Sequence, residues 1–200
     1  MAIVIGADPV IGVVSVSSFA YGVDEMAVAG GLRGAPVEMV KCMTIPLEVP
    51  ATAEIVIEGE ILPGAREKEG PFGEYAGYMG AWGNHPVMDV TCITYRNNFI
   101  YQAFFSQMPP SESSCIRGIG RELPLLRHLQ HDLGLPVSDL CFTESGGSGA
   151  ILVISIKKQY PGQVQQIASA AWGACTGLGK YTIIVDDDID VRDNFDLQWA

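Results

Sequence analysis

Positive charge is scarce in this chain. Lysine and arginine together number 12 among 200 residues, against 23 aspartates and glutamates, for a formal net charge of −11. A nucleic-acid surface needs clustered cations to neutralise phosphates, and no basic run or RNA-reading motif occurs, which argues against that class of partner. Long apolar runs are also missing. None approaches the roughly 20 residues a bilayer-crossing helix requires, so no membrane span is expected. The five cysteines (42, 92, 115, 141 and 175) are scattered, odd in number and without a CxxC pair. They read as reduced, mostly buried thiols of a cytosolic protein, not as a disulfide framework or a zinc site. Met1-Ala2-Ile3-Val4-Ile5 has no basic leader and soon meets Gly6-Ala7-Asp8-Pro9, so no secretory signal is expected and the expected location is cytoplasmic. Histidine is sparse too, and His85, His128 and His131 lack metal-ligand spacing. There is no internal repeat, low-complexity segment or flexible linker.

What is present suits a globular domain. The composition is 48% hydrophobic and 18% charged, and the length is enough for one domain with a sizeable core. Ile3 to Ile5 reads as a strand. Asp8-Pro9 reads as a helix start, and helices are expected over 9–16 and 24–32, the second stopping at Gly34. Strands are expected over 37–44 and 53–61, where β-branched residues concentrate. The segments 87–95 and 99–106 flank Asn97-Asn98, a hairpin signal. The spacing of Leu123, Leu126, Leu129 and Leu133 predicts one helix face within 111–133, with Gly134 as the stop. A strand near Leu140, another over 150–156, a helix over 162–175 and a strand over 181–185 complete an α+β pattern.

The segment with most chemical content is Glu69-Gly70-Pro71-Phe72-Gly73-Glu74-Tyr75. Gly70, Pro71 and Gly73 exclude a regular helix and permit a tight, closely approached backbone. Two carboxylates on such a loop are a usual way to build general acid/base chemistry, because one can hold a proton while the other stays charged. By spacing alone, a surface turn with two solvated glutamates fits equally well.

The surroundings of that segment carry more. Asp24-Glu25-Met26-Ala27-Val28-Ala29-Gly30-Gly31-Leu32-Arg33-Gly34 comes first, then Val40-Lys41-Cys42, Val49-Pro50-Ala51 and Glu54-Ile55-Val56-Ile57-Glu58-Gly59-Glu60, all ahead of the stretch from Glu69 to Tyr78. With the later run from Lys180 to Asp186 and Asp190-Val191, this ordered set resembles the UbiD-type decarboxylases, which use prenylated FMN with a divalent metal. The resemblance spans nearly the whole chain. It implies a central split β-barrel of the flavin-binding type with flanking helices, covering residues 1–200. It also implies that this is the central part of a larger multidomain enzyme, with the family's N-terminal and C-terminal portions lying outside the chain.

The resemblance also implies roles. Glu74 matches the proton donor to the carbon that loses CO₂, and would need apolar surroundings, such as Phe72, Tyr75 and Tyr78, to hold its proton near neutral pH. Glu69 matches the second glutamate, which pairs with an arginine and orients the reacting groups. Glu25 matches a metal-ligating glutamate, for Mn²⁺ bridging to the cofactor phosphate; read alone, it is an ordinary first-turn carboxylate. Ser17 and Ser18 fall in the loop that would contact the flavin phosphate and a K⁺ ion, although Phe19-Ala20 departs from the family's Met-Pro. The family's remaining ligands, an asparagine and a histidine, and its arginine lie upstream of the matching segment.

The implied activity is non-oxidative, reversible decarboxylation of aromatic or α,β-unsaturated carboxylic acids by a homo-oligomer. A different reading makes the chain a non-catalytic subunit or assembly domain, completed by a partner chain. A third makes it a simple flavin-reducing split barrel, which would not need paired glutamates. Three further features carry less. Gly146-Gly147-Ser148-Gly149 lacks the lysine of a P-loop and reads as a tight strand connection. Asp186 to Asp190 lacks the pattern of a calcium loop and reads as a solvated strand end with a turn. Cys115, without a nearby base, is not a convincing nucleophile.

Overall fold

The computed structural model describes residues 1–175 and 178–200. Their contacts divide into two compact units, Met1–Ser15 with Tyr21–Phe104, and Val16–Ala20 with Phe105–Ala200. Each unit has its own buried cluster.

In the first unit, β1 (Ala2–Ile5) is followed by α1 (Pro9–Ser15), α2 (Glu25–Arg33), β2 (Met39–Lys41) and β3 (Glu48–Pro50). Next come β4 (Ile55–Glu60), β5 (Arg66–Glu69), β6 (Gly83–Pro86) and β7 (Asp89–Tyr95). Helix α2 begins where its sequence says it should. The Asp24 carboxylate accepts hydrogen bonds from Met26 N at 2.9 Å and Ala27 N at 3.3 Å, satisfying first-turn donors. Gly34, at φ 76°, closes it in the left-handed conformation. Strand β4 lies between β1 and β7, antiparallel to both. The register with β7 shifts between Glu58 and Gly59. A side chain at Gly59 would bring its Cβ to 2.4 Å from the Asp89 carbonyl, so only glycine lets the two backbones approach there. The apolar core of this unit is small: Val49, Ala53 and Val56. Two-stranded antiparallel pairs β2–β3 and β5–β6 complete it.

The hairpin expected around Asn97-Asn98 forms its turn but not its second strand. Asn98 takes a positive φ of 58°, as the turn signal requires, yet no strand follows it. Strand β7 pairs with β4 instead. The chain beyond the turn is captured by Glu54, whose carboxylate accepts from Ile100 N at 3.0 Å and pairs with Arg96 at 3.2 Å. A T-shaped Tyr95–Phe99 ring contact, with centroids 5.6 Å apart, fastens the same corner.

The second unit contains α3 (Glu112–Arg127), β8 (Val137–Phe142), β9 (Ile151–Ile156), α4 (Gln163–Ala174), β10 (Tyr181–Asp186) and α5 (Asn194–Trp199). Strand β9 is central, antiparallel to β8 and parallel to β10. Helix α4 is the crossover that a parallel pair demands. A capping box starts α3: Ser111 Oγ accepts from Ser114 N, and Ser114 Oγ accepts from Ser111 N, both at 3.2 Å. The leucine face expected on this helix is corrected. Leu125 and Leu129 are buried, whereas Leu123 and Leu133 are exposed. After Arg127 the helix widens into one π turn, His128–Asp132, and Leu133 N donates to His128 O. The extra residue in that turn rotates Leu133 off the buried side.

Leu140, Phe142, Leu152, Ile154, Ile156, Ile167 and Ala171 join Leu125 and Leu129 in the main core. Near it, Glu122 accepts from Phe142 N at 2.8 Å and from both Arg192 guanidinium nitrogens at 3.1 Å. Gly146 to Gly149 connects antiparallel β8 and β9, as expected, and Asp186 to Asp188 is an exposed strand end entering a turn. Among the described residues the strands form small separate sheets and no closed barrel.

Candidate active site

A two-stranded ribbon from Arg66 to Pro86 carries both candidate glutamates. Strands β5 and β6 pair from Arg66↔Pro86 to Glu69↔Gly83, so Glu69 occupies the last paired position. Pairing stops there and resumes closer to the tip. Gly80 N donates to Phe72 O at 2.7 Å, a bridge joins Gly73 to Met79, and Glu74 N donates to Tyr78 O at 2.8 Å. Gly77 N then donates to Glu74 O at 2.9 Å and closes the tightest turn. The break between the two paired segments falls at Gly70-Pro71, where Pro71 has no N–H to offer.

Glu74 thus stands at the mouth of a backbone-locked turn, and its side chain lies against Gly80. A Cβ at position 80 would sit 3.6 Å from Glu74 Cγ and Oε1. Glu69 ends β5 and Glu74 lies in the connection to β6. Their carboxylates form no ion pair among the described residues. Phe72, Tyr75 and Tyr78, the apolar surroundings expected for Glu74, are themselves exposed, Tyr78 to 79%.

Glu25 opens α2, in the same unit, and is exposed. Its neighbour Asp24 spends its carboxylate on capping the helix. Among the described residues no group of three or more His, Cys, Asp or Glu side chains is placed to hold a metal ion. Glu25 alone does not complete an Mn²⁺ site. Ser17, half-buried, and Ser18, exposed, belong to the second unit, and no helix or strand is built on them.

Two features escaped the sequence reading. Glu58 is a buried carboxylate on β4, 1% exposed, accepting from Met43 N at 2.8 Å and from Thr44 N and Thr44 Oγ1 at 2.7 Å. Those donors, the Met43 amide above all, hold it below the usual carboxylate range. Its position inside the quoted Glu54 to Glu60 stretch was visible; its burial was not. Lys68 and Trp82 are the other, with Lys68 Nζ 4.0 Å above the indole ring at the base of the ribbon.

Residues 1–109 match the 3-octaprenyl-4-hydroxybenzoate carboxy-lyase Rift-related domain, and residues 114–200 match the C-terminal domain of the same carboxy-lyases. The chain belongs to the UbiD family. Similar solved structures include the UbiD-class enzyme HmfF from Pelotomaculum thermopropionicum, an evolved dimeric form in complex with prFMN. It is 38% identical with a TM-score of 0.89, over 99% of this chain and 45% of that one. The apo 3,4-dihydroxybenzoic acid decarboxylase AroY of Klebsiella pneumoniae is 31% identical with a TM-score of 0.82, over 99% of this chain and 43% of that one. Vanillic acid decarboxylase from Sedimentibacter hydroxybenzoicus, in closed form, is 28% identical with a TM-score of 0.88, over 99% and 42%. This UbiD-family chain therefore spans less than half the length of these relatives, and its mixed α/β fold is theirs over that span.

Proposed function

We propose that this chain carries the acid-bearing ribbon of a prenylated-FMN-dependent decarboxylase acting on aromatic or α,β-unsaturated carboxylic acids. The observation that carries the reading is the ribbon from Arg66 to Pro86, which fixes Glu74 at a hydrogen-bonded turn whose aromatic residues Phe72, Tyr75 and Tyr78 are exposed. Decarboxylation leaves an electron pair on carbon that must be protonated, and a carboxylic acid held at a fixed backbone position is suited to deliver that proton. Prenylated FMN, when bound, supplies the electron sink for that pair. Glu74 holds and delivers the proton. Glu69, one strand pairing before the break, orients the reacting groups. Phe72, Tyr75 and Tyr78 exclude water from the transfer once substrate and flavin cover them.

Phe72, Tyr75 and Tyr78, exposed and aromatic, suit contact with a planar ring system by residue type. Ser17 and Ser18 suit phosphate and K⁺ contacts by residue type. Glu25, a hard oxygen donor, suits Mn²⁺ as one ligand of several. In this reading the β1–β4–β7 sheet is one wall of a split β-barrel, and the complete enzyme is cytoplasmic and homo-oligomeric. HmfF, described as dimeric in one evolved form, supports an oligomer.

The test is CO₂ release from a panel of aromatic and α,β-unsaturated acids by the complete enzyme, co-expressed with and without a flavin prenyltransferase. Release only from the prenylated-flavin preparation is the expected result. Reductase activity with unmodified FMN and no CO₂ release would replace this reading with a flavin-reducing one.

A further inference from the structure

The ribbon is continuous in backbone hydrogen bonding except at one place. Glu69↔Gly83 is the last pair of the base, and Gly80 N to Phe72 O is the outermost bond of the tip. Between them Gly70-Pro71 faces Ala81-Trp82, and the proline cannot donate across the gap. A two-stranded ribbon with such a gap can hinge, because the bonds that fix tip to base are those it lacks. Side chains spanning the gap then decide how the tip sits.

Cross-strand neighbours share a face, so Lys68, opposite Asn84, lies on the same face as Trp82, two residues before Asn84. The ammonium stands 4.0 Å from the centre of the indole ring. This contact ties the last turn of the base to the residue beside the gap. We propose that Lys68 and Trp82 are positioning residues, a cation–π latch that fixes the Glu74-bearing tip relative to the base of the ribbon. The proposal rests on the assignment of Glu74 as proton donor. Neither side chain touches the reacting atoms; both act through the angle at which Glu74 is presented. Trp82 is 60% exposed, so the latch is of the modest, solvent-exposed kind.

The test uses the complete enzyme carrying prenylated FMN, with Lys68→Met, Trp82→Leu, the double variant and Lys68→Arg. An exposed cation–π contact predicts that kcat falls about two- to five-fold in each single variant while KM stays within about twofold. The double variant loses no more than the worse single one, because both remove the same contact. Lys68→Arg, which also stacks on indole, retains wild-type kcat. Independently of activity, amide hydrogen exchange in peptides spanning 70–82 quickens several-fold in Lys68→Met, with β4 and β7 peptides unchanged. Wild-type exchange at 70–82, or losses that simply add in the double variant, would overturn the latch. Glu74→Gln separates this failure from that of the reading beneath it. An active Glu74→Gln enzyme overturns the proton-donor assignment, whereas an inactive one alongside fully active Lys68→Met overturns the latch alone.

Discussion

Glu58 shows how much a single buried carboxylate can govern. Its charge is held below the usual carboxylate range by donated hydrogen bonds from Met43 and Thr44, so folding favours the ionised form. A depressed folded value means the stabilisation is present above the unfolded carboxylate value of about 4.3 and is lost as pH falls through the folded one. Glu58→Gln, which turns an amide N–H toward those donors, lowers the thermal midpoint near pH 7, and the gap to wild type narrows toward about pH 3. Differential scanning fluorimetry across that range checks it, and a gap independent of pH contradicts it. The thiols make a second test. None of the five is disulfide-bonded, Cys115 is exposed, and the rest are half-buried rather than mostly buried as expected. Burial, with the Glu122 charge nearby, pushes the Cys141 thiol up to about 11. A thiol reagent at about pH 8 labels Cys115 well before Cys141. Mass mapping of the labelled peptides reads this directly, and equal rates at both sites contradict it.

At the scale of elements, the readable signals were those whose cause is local. Asp24 and Gly34 bound α2, Ser111 starts α3, and the β-branched runs in β4, β9 and β10 became strands because each residue's own chemistry favours that conformation. The failures are non-local. Nothing in Phe99 to Ser106 announces that Glu54, over forty residues earlier, takes the Ile100 amide that a second hairpin strand would have used. Likewise the π turn after Arg127 altered a leucine period that assumed a uniform helix. Strands β5 and β6 were missed because REKE and GNHP are polar and exposed, and only pairing makes them strands. The glutamates of the ribbon were legible as a motif, while the hydrogen-bonded tip that aims Glu74 was not. The corrected helix face has a measurable consequence. Leu129→Ala removes a side chain that is fully buried and costs roughly 2–5 kcal/mol of stability, whereas Leu133→Ala, exposed beyond the π turn, costs little. Urea melts of the two variants check the contrast, and similar losses would restore the uniform-helix face.

At the scale of the molecule, the described residues fall into two compact units, and two domains of the family match within 200 residues. The fold is shared over 99% of the chain and 45% or less of the three relatives, and among the described residues no group of three or more His, Cys, Asp or Glu gathers with Glu25. Whether Glu74 donates the proton is settled by CO₂ release and bound flavin for Glu74→Gln in the complete, prenylated-FMN-loaded enzyme. Loss of turnover by at least about a hundredfold, with the flavin absorbance and stoichiometry of wild type, is the predicted result. Turnover within a few-fold of wild type, on a substrate that the unaltered enzyme decarboxylates, would contradict it.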